Sequence, residues 1–484
     1  MHEDRPSADL VADEIQKLYT FKTFSDTKEI LYYHKGSGLY LQNAQQLIEA
    51  ETQKWMREAG DGEYLTRGFV GEVVGHIQRS TYVNRDSFNS EPGLLLVKNG
   101  ILDINKRLLM QPSSGYLFTM GLPVNYDPSA KCPAIDKFIS EIVRAENVQL
   151  LFEIIGWCLD INSGFQNIVL LTGEGANGKS TFTNLIRAFL GEKNCSAIPM
   201  QALVTDKFSV ARLYGKMANL YPDLQSIGIS DAGPLKALSG SDTIDAQEKF
   251  KPFFAFRNTA KMIFSANQPP RIGEDTMAIW RRIIVVDFPN QFIGGKDNKN
   301  LMTELNHQKE LSGLLNRALA ALKAMKEAGK FSYASTIAET RERYLLLADP
   351  IPIFFEDKCE YDPNGSLTKE ELYQAYAKWC KEKSAIPINK IAFGRQMMRA
   401  RYARPSRTNW LGISFKIRDN VEAGGGAIAL LPAKAEGSGT DNVTEAVTGS
   451  IMGDAASDMN TGNDTNAEVN IGVTNDVSAD TQAP

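Results

Sequence analysis

The stretch that decides the fold is Gly173-Glu174-Gly175-Ala176-Asn177-Gly178-Lys179-Ser180-Thr181. It fits the pattern G-x-x-x-x-G-K-[ST], and the segments on both sides have the structure that this pattern requires. Residues 168–171 form an apolar run typical of a buried strand, and residues 182–190 have the periodicity of an amphipathic helix. A strand, a glycine-rich turn and a helix in this order predict a loop that binds the phosphates of a nucleotide.

The residue types in this loop suit phosphate chemistry. Glycines let consecutive backbone N–H groups turn inward around a polyphosphate, and the start of the following helix adds a positive dipole. We expect all nine residues of 173–181 to contact the nucleotide, with Lys179 reaching its β- and γ-phosphates and the Ser180 hydroxyl ligating Mg²⁺. The sequence therefore predicts ATP, or a similar nucleotide, together with Mg²⁺.

Residues 150–292 alternate strand-like apolar runs with helical stretches, which is typical of a parallel α/β domain. Residues 300–345 are expected to be helical and complete this domain, predicted over 151–345. Asp223 ends one apolar run, where a carboxylate could hold Mg²⁺ through its water shell. Asn267 ends another, where an amide could orient the attacking water. Arg281 and Arg282 precede a third run, from which an arginine could reach the γ-phosphate of a neighbouring subunit.

Residues 10–150 predict a separate mixed α/β domain. A hairpin is expected over 30–40, helices over 42–60 and 65–80, and a strand, an Asn-Gly turn and a second strand over 94–103. No catalytic group of residues stands out in this part of the sequence.

Between Asp223 and Asn267, residues 242–256 alternate in the manner of a β-hairpin, with Lys249, Phe250 and Lys251 at its centre. Lysines beside an aromatic ring suit single-stranded DNA, because they pair with phosphates while the ring packs against bases or sugars. We expect the phenylalanines that follow, at 253, 254 and 256, to be core residues. An ordinary surface hairpin stays an alternative.

Residues 350–420 predict a last compact unit. Its first helix opens at Thr368 with a capping-box pattern, its second covers 389–402, and a hairpin-like wing is expected over 409–417. From residue 390 to 418 there are eight basic residues and no acidic one (Lys390, Arg395, Arg399, Arg401, Arg404, Arg407, Lys416 and Arg418). We expect Lys390, Arg395 and Arg399 to contact the phosphates of double-stranded DNA; a solvated basic face is the alternative.

The composition of the chain bears on its cellular compartment and on which segment is disordered. The chain has 484 residues and a net charge of −5, but nine acidic residues against one basic residue lie within 432–484. This acidic segment, from residue 422, lacks aromatic residues and is predicted to be disordered. Five scattered cysteines, no bilayer-length apolar run and no secretory signal favour a cytoplasmic protein without a membrane partner.

The order of these motifs resembles superfamily 3 helicases, in particular the helicase part of phage, plasmid and poxvirus-like primase-helicases. Besides the phosphate loop, the resemblance rests on Leu-Lys-x-Leu-Ser-Gly-x-Asp at 235–242, Phe-Ser-Ala-Asn-Gln-Pro-Pro at 264–270, Trp-Arg-Arg at 280–282, Asn-Gly-Ile-Leu-Asp at 99–103 and Leu-Pro-Val-Asn-Tyr-Asp-Pro at 122–128. It covers about residues 10–420.

The resemblance implies a fold class and roles. The class is α/β: a P-loop NTPase (AAA+-like) core with a parallel sheet, an N-terminal α/β domain, a C-terminal winged helix and the acidic tail. By the same resemblance Asp223 is the Walker B acid, Asn267 the sensor residue and Arg281 or Arg282 the arginine finger. Counting back from Phe288 favours Arg282, with Arg281 close behind. Many members have two adjacent acids where this chain has Pro222-Asp223-Leu224, so the general base is left open.

The resemblance also implies a function. We expect an ATP-dependent DNA helicase that acts in replication of a virus, phage or plasmid-like element as a ring of identical subunits, by the resemblance a hexamer. The alternative is a DNA-binding initiator or loader that uses ATP as an assembly switch and unwinds nothing. Priming requires a further domain with a carboxylate metal site, for which little room precedes residue 10, so a separate primase or polymerase is the expected partner.

Overall fold

The N-terminal part of the chain carries two small sheets. In the computed structural model, residues 6–161, 164–240, 242–273, 276–294, 298–383, 385, 387–399 and 402–416 are described, and the predicted tail at 422–484 lies outside them. The elements are α1 (Ala8–Leu18), β1 (Phe21–Phe24), β2 (Ile30–His34), β3 (Leu39–Leu41), α2 (Ala44–Glu58), α3 (Arg67–Ser80), β4 (Tyr82–Val83), β5 (Leu94–Val97), β6 (Gly100–Asp103) and β7 (Leu108–Met110).

The local predictions for this part are confirmed. Strands β2 and β3 pair as an antiparallel hairpin, and the two expected helices are α2 and α3. Strands β5 and β6 pair antiparallel with Lys98-Asn99 in the turn, one position earlier than the expected Asn-Gly turn, and Gly100 is the first residue of β6. Gly100 has a φ of 154°, and a Cβ atom on it would lie 2.7 Å from the carbonyl oxygen of Met110, so the close approach of β7 requires glycine at this position.

A five-stranded parallel sheet forms the centre of the next part, in the order β14-β8-β13-β10-β9. The elements of this part are α4 (Pro133–Ile142), α5 (Ala145–Leu159), β8 (Ile168–Thr172), α6 (Lys179–Leu190), β9 (Cys195–Ser196), α7 (Met200–Thr205), α8 (Lys207–Ala211), β10 (Ala218–Tyr221), α9 (Gly233–Ser239), β11 (Thr243–Gln247), β12 (Phe253–Arg257), β13 (Lys261–Ala266), α10 (Met277–Trp280), β14 (Ile283–Asp287), α11 (Leu301–Leu305), α12 (Gln308–Ala328) and α13 (Ile337–Ala348).

The central strands are apolar throughout because both faces of the sheet are covered. Every residue of β8 and β13 is buried. Alternate side chains of β8 enter two different cores: Val169 and Leu171 pack with α5, α6 and α12, whereas Ile168 and Leu170 pack with α9, α10 and the hairpin strands. The predicted α/β class with a parallel sheet is confirmed by this arrangement.

The first of these cores extends across the predicted domain boundary at 150/151. Helix α5 runs through that position, and its residues share one cluster with Leu95, Val124 and Ile142 from the preceding segment. Helices α5 and α12 approach closely at Gly156, where a Cβ atom would lie 2.4 Å from the carbonyl oxygen of Ala318. The segment before the central sheet is therefore part of its packing.

The last described part has its own core and follows the order helix, strand, helix, helix, strand, strand. Its elements are α14 (Ile351–Lys358), β15 (Cys359–Thr368), α15 (Lys369–Glu382), α16 (Lys390–Arg399), β16 (Arg404–Pro405) and β17 (Asn409–Phe415). The sheet order is β15-β17-β16, with both pairings antiparallel. No helix within the described ranges is long and apolar enough to cross a membrane.

One prediction in this part was wrong. The expected hairpin over 409–417 is a single strand, β17, which lies between β15 and β16. Gly412 has a φ of 89° but does not reverse the chain. The irregularity instead lies on the partner strand, where the register of β15 shifts between Tyr361 and Ser366. Strand β17 thus pairs with β15 along most of its length and with the two-residue β16 at Trp410 and Leu411.

We predict that Gly156→Ala destabilises the fold by about 1–3 kcal/mol, because the added methyl group meets the backbone of α12 and forces two packed helices apart. The free energy of unfolding, measured by chemical denaturation of the full chain, tests this. The control is Gly71→Ala in α3, where nothing lies within 4 Å of the added atom. That change should stabilise the helix by up to about 1 kcal/mol; equal effects of both variants would contradict the close approach.

Candidate nucleotide-binding site and nucleic-acid surfaces

The loop between β8 and α6 turns through a series of backbone conformations that favour glycine. Gly173, Gly175 and Gly178 have φ angles of 153°, 108° and 86°. A Cβ atom on Gly173 would lie 2.7 Å from the carbonyl oxygen of Phe288, and one on Gly178 would lie 2.6 Å from Cγ2 of Ile142. Glycine is therefore required at 173 and 178 both by conformation and by the approach of neighbouring elements.

Lys179 begins α6 and is only 6% exposed. Its Nζ donates hydrogen bonds to the carbonyl oxygen of Gly173 at 2.7 Å, to Oδ1 of Asn177 at 2.9 Å and to Oδ1 of Asn267 at 3.2 Å. Burial lowers the pKa of Lys179, and the nearby Asp223 carboxylate acts in the opposite direction. The ammonium group is thus held inside the loop by neutral acceptors, so an anion entering the loop would meet a positive charge.

Asn177 fastens the loop to the end of the sheet, a role that the motif alone does not assign. Its side chain is 3% exposed, and its Nδ2 donates to the carbonyl oxygen of Phe288 at 3.1 Å while its Oδ1 accepts from Lys179. The backbone N–H of Phe292 donates to the carbonyl oxygen of Ala176 at 2.7 Å. The segment that follows β14 therefore braces the loop along one side.

A cavity with a volume of about 740 Å³ opens over the loop. Its wall includes residues 175–181, Asp223 and Asn267, while Gly173 and Glu174 line an adjoining cleft. The strands β8, β10 and β13 are parallel neighbours, so the residues that follow their carboxyl ends meet at one edge of the sheet. The structure thus brings the predicted loop, acid and amide together.

The groups in this wall fit a magnesium-bound polyphosphate. Helix α6 has glycine as its N-cap, and among the described residues no side chain caps its first N–H groups. Such a helix start is suited to an anion. Ser180 and Asp223 add a hydroxyl and a carboxylate, which are oxygen ligands of the kind that Mg²⁺ takes.

Two further carboxylates in the wall were missed by the sequence analysis. Glu141, from α4, and Glu304, from α11, both line the cavity, and Glu304 accepts hydrogen bonds from Nδ2 of Asn298 at 3.1 and 3.2 Å. Neither residue belongs to a recognisable motif, and both helices are separated from the loop in the sequence. Only the packing of these helices beside the loop brings their side chains to the site.

Arg281 and Arg282 lie at the opposite end of the strands of the central sheet, before β14 begins. They directly precede β14, which runs parallel to β8 over five residue pairs. The phosphate loop follows the other end of β8, so the arginines and the loop are separated by about 13 Å or more at ~3.3 Å per residue. The structure therefore does not bring these arginines to the cavity of their own chain.

The two arginines differ in exposure, and the sequence favoured the buried one. Arg282 is 8% exposed; its Nη1 donates to the carbonyl oxygen of Ala278 at 2.6 Å and its Nη2 to Oε1 of Gln166 at 3.0 Å. Burial lowers the pKa of Arg282. Arg281 is exposed. Arg281 is the C-cap residue of α10 and Arg282 directly precedes β14, so Arg281 alone of this pair presents its guanidinium group to solvent.

The predicted hairpin is formed by β11 and β12, which pair antiparallel from Thr243 to Gln247. Phe250 lies at its tip with a φ of 66° and an exposure of 94%. The Nζ of Lys249 lies 5.3 Å from the centroid of this ring. Lys251 forms a 2.6 Å ion pair with Glu248, so Lys249 and Phe250 are the more accessible members of the predicted trio.

Phe253 corrects the prediction that all three following phenylalanines are core residues. Phe254 and Phe256 are buried, at 5% and 3% exposure, but Phe253 is 58% exposed. Successive side chains of a strand point to opposite faces, so Phe253 lies on the face away from the core. There the Nζ of Lys207 lies 4.8 Å from its ring centroid.

The predicted basic surface at the C-terminal side lies on α16. Arg395 and Arg399 are exposed one turn apart, and Ile391 and Met398 are exposed beside them at 70% and 51%. This helix therefore presents a mixed basic and apolar surface to solvent.

Lys390 is also exposed, but its Nζ forms an ion pair with Glu370 on α15. Its charge is thus partly matched within the chain. Arg401 and Arg418, which belong to the predicted basic group, lie outside the described residues.

Two protein-family models match separate parts of the chain. Residues 12–144 match the family described as "D5 N terminal like", and residues 171–282 match a family of unknown function, DUF5906. The chain also resembles the C-terminal region of NrS-1, whose apo structure gives a TM-score of 0.46 at 11% identity and covers 85% of this chain and 100% of that one.

Two similar viral proteins carry the name "Putative helicase". One is L207/L206 of Acanthamoeba polyphaga mimivirus, 28% identical over 33% of this chain and 17% of its own length. The other is 022R of Frog virus 3, 25% identical over 44% of this chain and 24% of its own length. The chain thus spans less than a third of the length of either protein. These similarities relate the chain, at low identity, to viral proteins that are named helicases.

Proposed function

We propose that this chain is an ATP-hydrolysing DNA helicase of superfamily 3, which acts as a ring of identical subunits in the replication of a virus, phage or plasmid-like element. The observation that carries this proposal is the distribution of charge about the central sheet. Lys179, Asp223 and Asn267 converge at one edge, whereas the exposed Arg281 lies at the other. A site completed by that arginine requires a second copy of the chain.

Within one subunit, the residues of the cavity have separate tasks. Lys179 neutralises the charge of the β- and γ-phosphates, and Ser180 and Asp223 hold Mg²⁺. Asn267, which already contacts Lys179, orients the attacking water. Only a single acid, Asp223, follows β10, so the identity of the general base is open. Glu141 and Glu304 supply two further carboxylates in the cavity wall. Arg281 of a neighbouring subunit then stabilises charge that develops in the transition state.

The hairpin is the proposed contact for single-stranded DNA. An aromatic side chain exposed at 94% has an unfavourable surface in water, which stacking on a base removes. Lys249 beside it pairs with the phosphate backbone. Lys251 is a weaker contributor, since Glu248 competes for its charge.

The last part of the chain is the proposed contact for double-stranded DNA, as a winged helix. Its order of helix, strand, helix, helix, strand, strand supports this fold, with α16 as the helix that enters the major groove. Arg395 and Arg399 pair with phosphates, and Ile391 and Met398 are placed for apolar contacts with thymine methyl groups.

A second candidate function is an ATP-switched initiator or loader that binds DNA without unwinding it. The helicase is favoured by the exposed tip of the hairpin, because duplex binding alone has no need for a stacking residue there. Strand displacement coupled to DNA-stimulated hydrolysis separates the two functions. A separate primase or polymerase is the proposed partner for priming.

We predict that Lys179→Ala lowers ATP hydrolysis by about 100-fold or more, because it removes the cation that meets the phosphates. Hydrolysis by the purified full chain, with far-ultraviolet circular dichroism to verify folding, measures this. The matched control is Lys323→Ala on the exposed surface of α12, which should retain the wild-type rate. Normal hydrolysis by a folded Lys179→Ala variant would overturn the assignment of the phosphate loop.

We predict that Arg281→Ala spares nucleotide binding but lowers hydrolysis by about 1,000-fold, because an arginine supplied by a neighbour acts on the transition state. Mixing this variant with Lys179→Ala protein should restore part of the activity, since some sites then combine an intact loop with an intact arginine. Absence of rescue despite verified subunit exchange would argue against a shared site. Arg282→Ala should instead lower thermal stability, because it removes a buried side chain and leaves two partly buried hydrogen-bond acceptors without their donor.

We predict that the two DNA surfaces can be separated by substitution. Lys249→Ala with Phe250→Ala should remove DNA-stimulated hydrolysis and unwinding while basal hydrolysis stays, because the cavity is untouched. Arg395→Ala with Arg399→Ala should weaken duplex binding and reduce its salt dependence by roughly one unit of slope per lost phosphate contact. Unwinding of a preloaded forked substrate should survive in the second variant. Normal unwinding by the hairpin variant would contradict the proposed contact.

A further inference from the structure

The loop that follows Asn267 is fastened at three points. The Tyr344 hydroxyl donates a hydrogen bond to the carbonyl oxygen of Pro270 at 2.7 Å. The backbone N–H of Ile229 donates to the carbonyl oxygen of Arg271, also at 2.7 Å. The guanidinium group of Arg271 forms an ion pair with Asp349. This loop, residues 267–273, therefore has a defined position between the nucleotide cavity and the last part of the chain.

Asp349 contacts both of these regions through its two carboxylate oxygens. It is 3% exposed and follows α13; Oδ2 pairs with Arg271, and Oδ1 accepts from Nε2 of Gln396 at 2.7 Å. Gln396 lies on α16 between Arg395 and Arg399. Burial raises the pKa of Asp349 and the Arg271 charge opposes this effect, so the carboxylate depends on its partner for its charged form.

A continuous set of contacts thus leads from the phosphate loop to the basic helix. Lys179 donates to Asn267, and Arg271 follows four residues later in a loop that contains two buried prolines. Proline fixes its own φ, so this loop has few internal degrees of freedom. The chain thus connects Asn267 to Arg271, and Asp349 connects Arg271 to Gln396 on α16.

We propose that Asp349 is a positioning residue that couples nucleotide binding in the cavity to duplex binding by α16. This inference rests on the proposed function. A polyphosphate at Lys179 competes with Asn267 for the ammonium group, and the released loop shifts the arginine that Asp349 holds. Because coupling between two binding sites is reciprocal, duplex DNA on α16 changes nucleotide affinity by the same factor.

A merely structural tie between α13 and the last part of the chain would act differently. Glu342 on α13 forms a 3.4 Å ion pair with Lys383, the residue that follows α15. This ion pair also joins α13 to the last part of the chain, but it does not involve the loop at 267–273. Loss of this pair removes a connection without breaking the contacts through Arg271. Glu342→Gln is therefore a matched control for the coupling.

The experiment compares the duplex affinity of the full chain with and without a non-hydrolysable ATP analogue and Mg²⁺, using a fluorescent DNA duplex. In the wild-type chain and in Glu342→Gln, the two dissociation constants should differ by about fivefold or more. In Asp349→Asn the ratio should fall to near one, while the analogue and the duplex are each still bound. Gln396→Leu, which breaks the contact between the carboxylate and α16 while the Arg271 ion pair stays, should give the same loss.

The outcomes distinguish this inference from the proposed function. A wild-type chain that binds neither the analogue nor the duplex would overturn the proposed function. A wild-type chain that binds both with a ratio of one would overturn the coupling alone. A folded Asp349→Asn or Gln396→Leu variant with the wild-type ratio would also overturn it, and so would an equal loss in Glu342→Gln.

Discussion

Strand β8 pairs with β13 on one side and with β14 on the other. The register of these pairings sets the level at which the polypeptide leaves each strand. Thr172 is opposite Ala266 and Asp287, so the next residues, Gly173 and Asn267, start at the same level. Lys179 can therefore bond to both of them with a single ammonium group. A slip by one residue would turn every side chain of β8 to the other core, so the packing of two apolar faces protects the geometry of the site.

The same parallel order places different groups at the two ends of the strands. The carboxyl ends of the strands collect the loop, the acid and the amide, whereas the amino ends carry Arg281, Arg282 and the buried Lys261. Burial lowers the pKa of Lys179, so an anion beside it would stabilise its charged form. The cavity proposed for a polyphosphate thus contains this cation, whereas the exposed Arg281 lies at the other end of the strands.

The surfaces proposed for DNA depend on buried partners that come from distant segments. Phe254 and Phe256, behind the exposed face of the hairpin, pack edge-on against Tyr214 at 5.6 and 5.8 Å. Arg85, from the N-terminal part, lies over Phe254 at 4.6 Å and is held by Asp26. The N-terminal part thus supports the base of the hairpin, in the same way as Asp349 supports α16.

The sequence by itself determined the elements whose patterns are local. The glycine-rich loop, the apolar strands around it, the hairpin with Phe250 and the basic helix could all be predicted, because periodicity and turn residues act over a few positions. Only the tertiary structure decided which of two adjacent arginines is buried, that Phe253 is exposed, and that Glu141 and Glu304 line the cavity. The physical reason is that burial depends on partners that are distant in the chain, as Arg282 and Gln166 illustrate at a separation of 116 residues, and no local pattern records them.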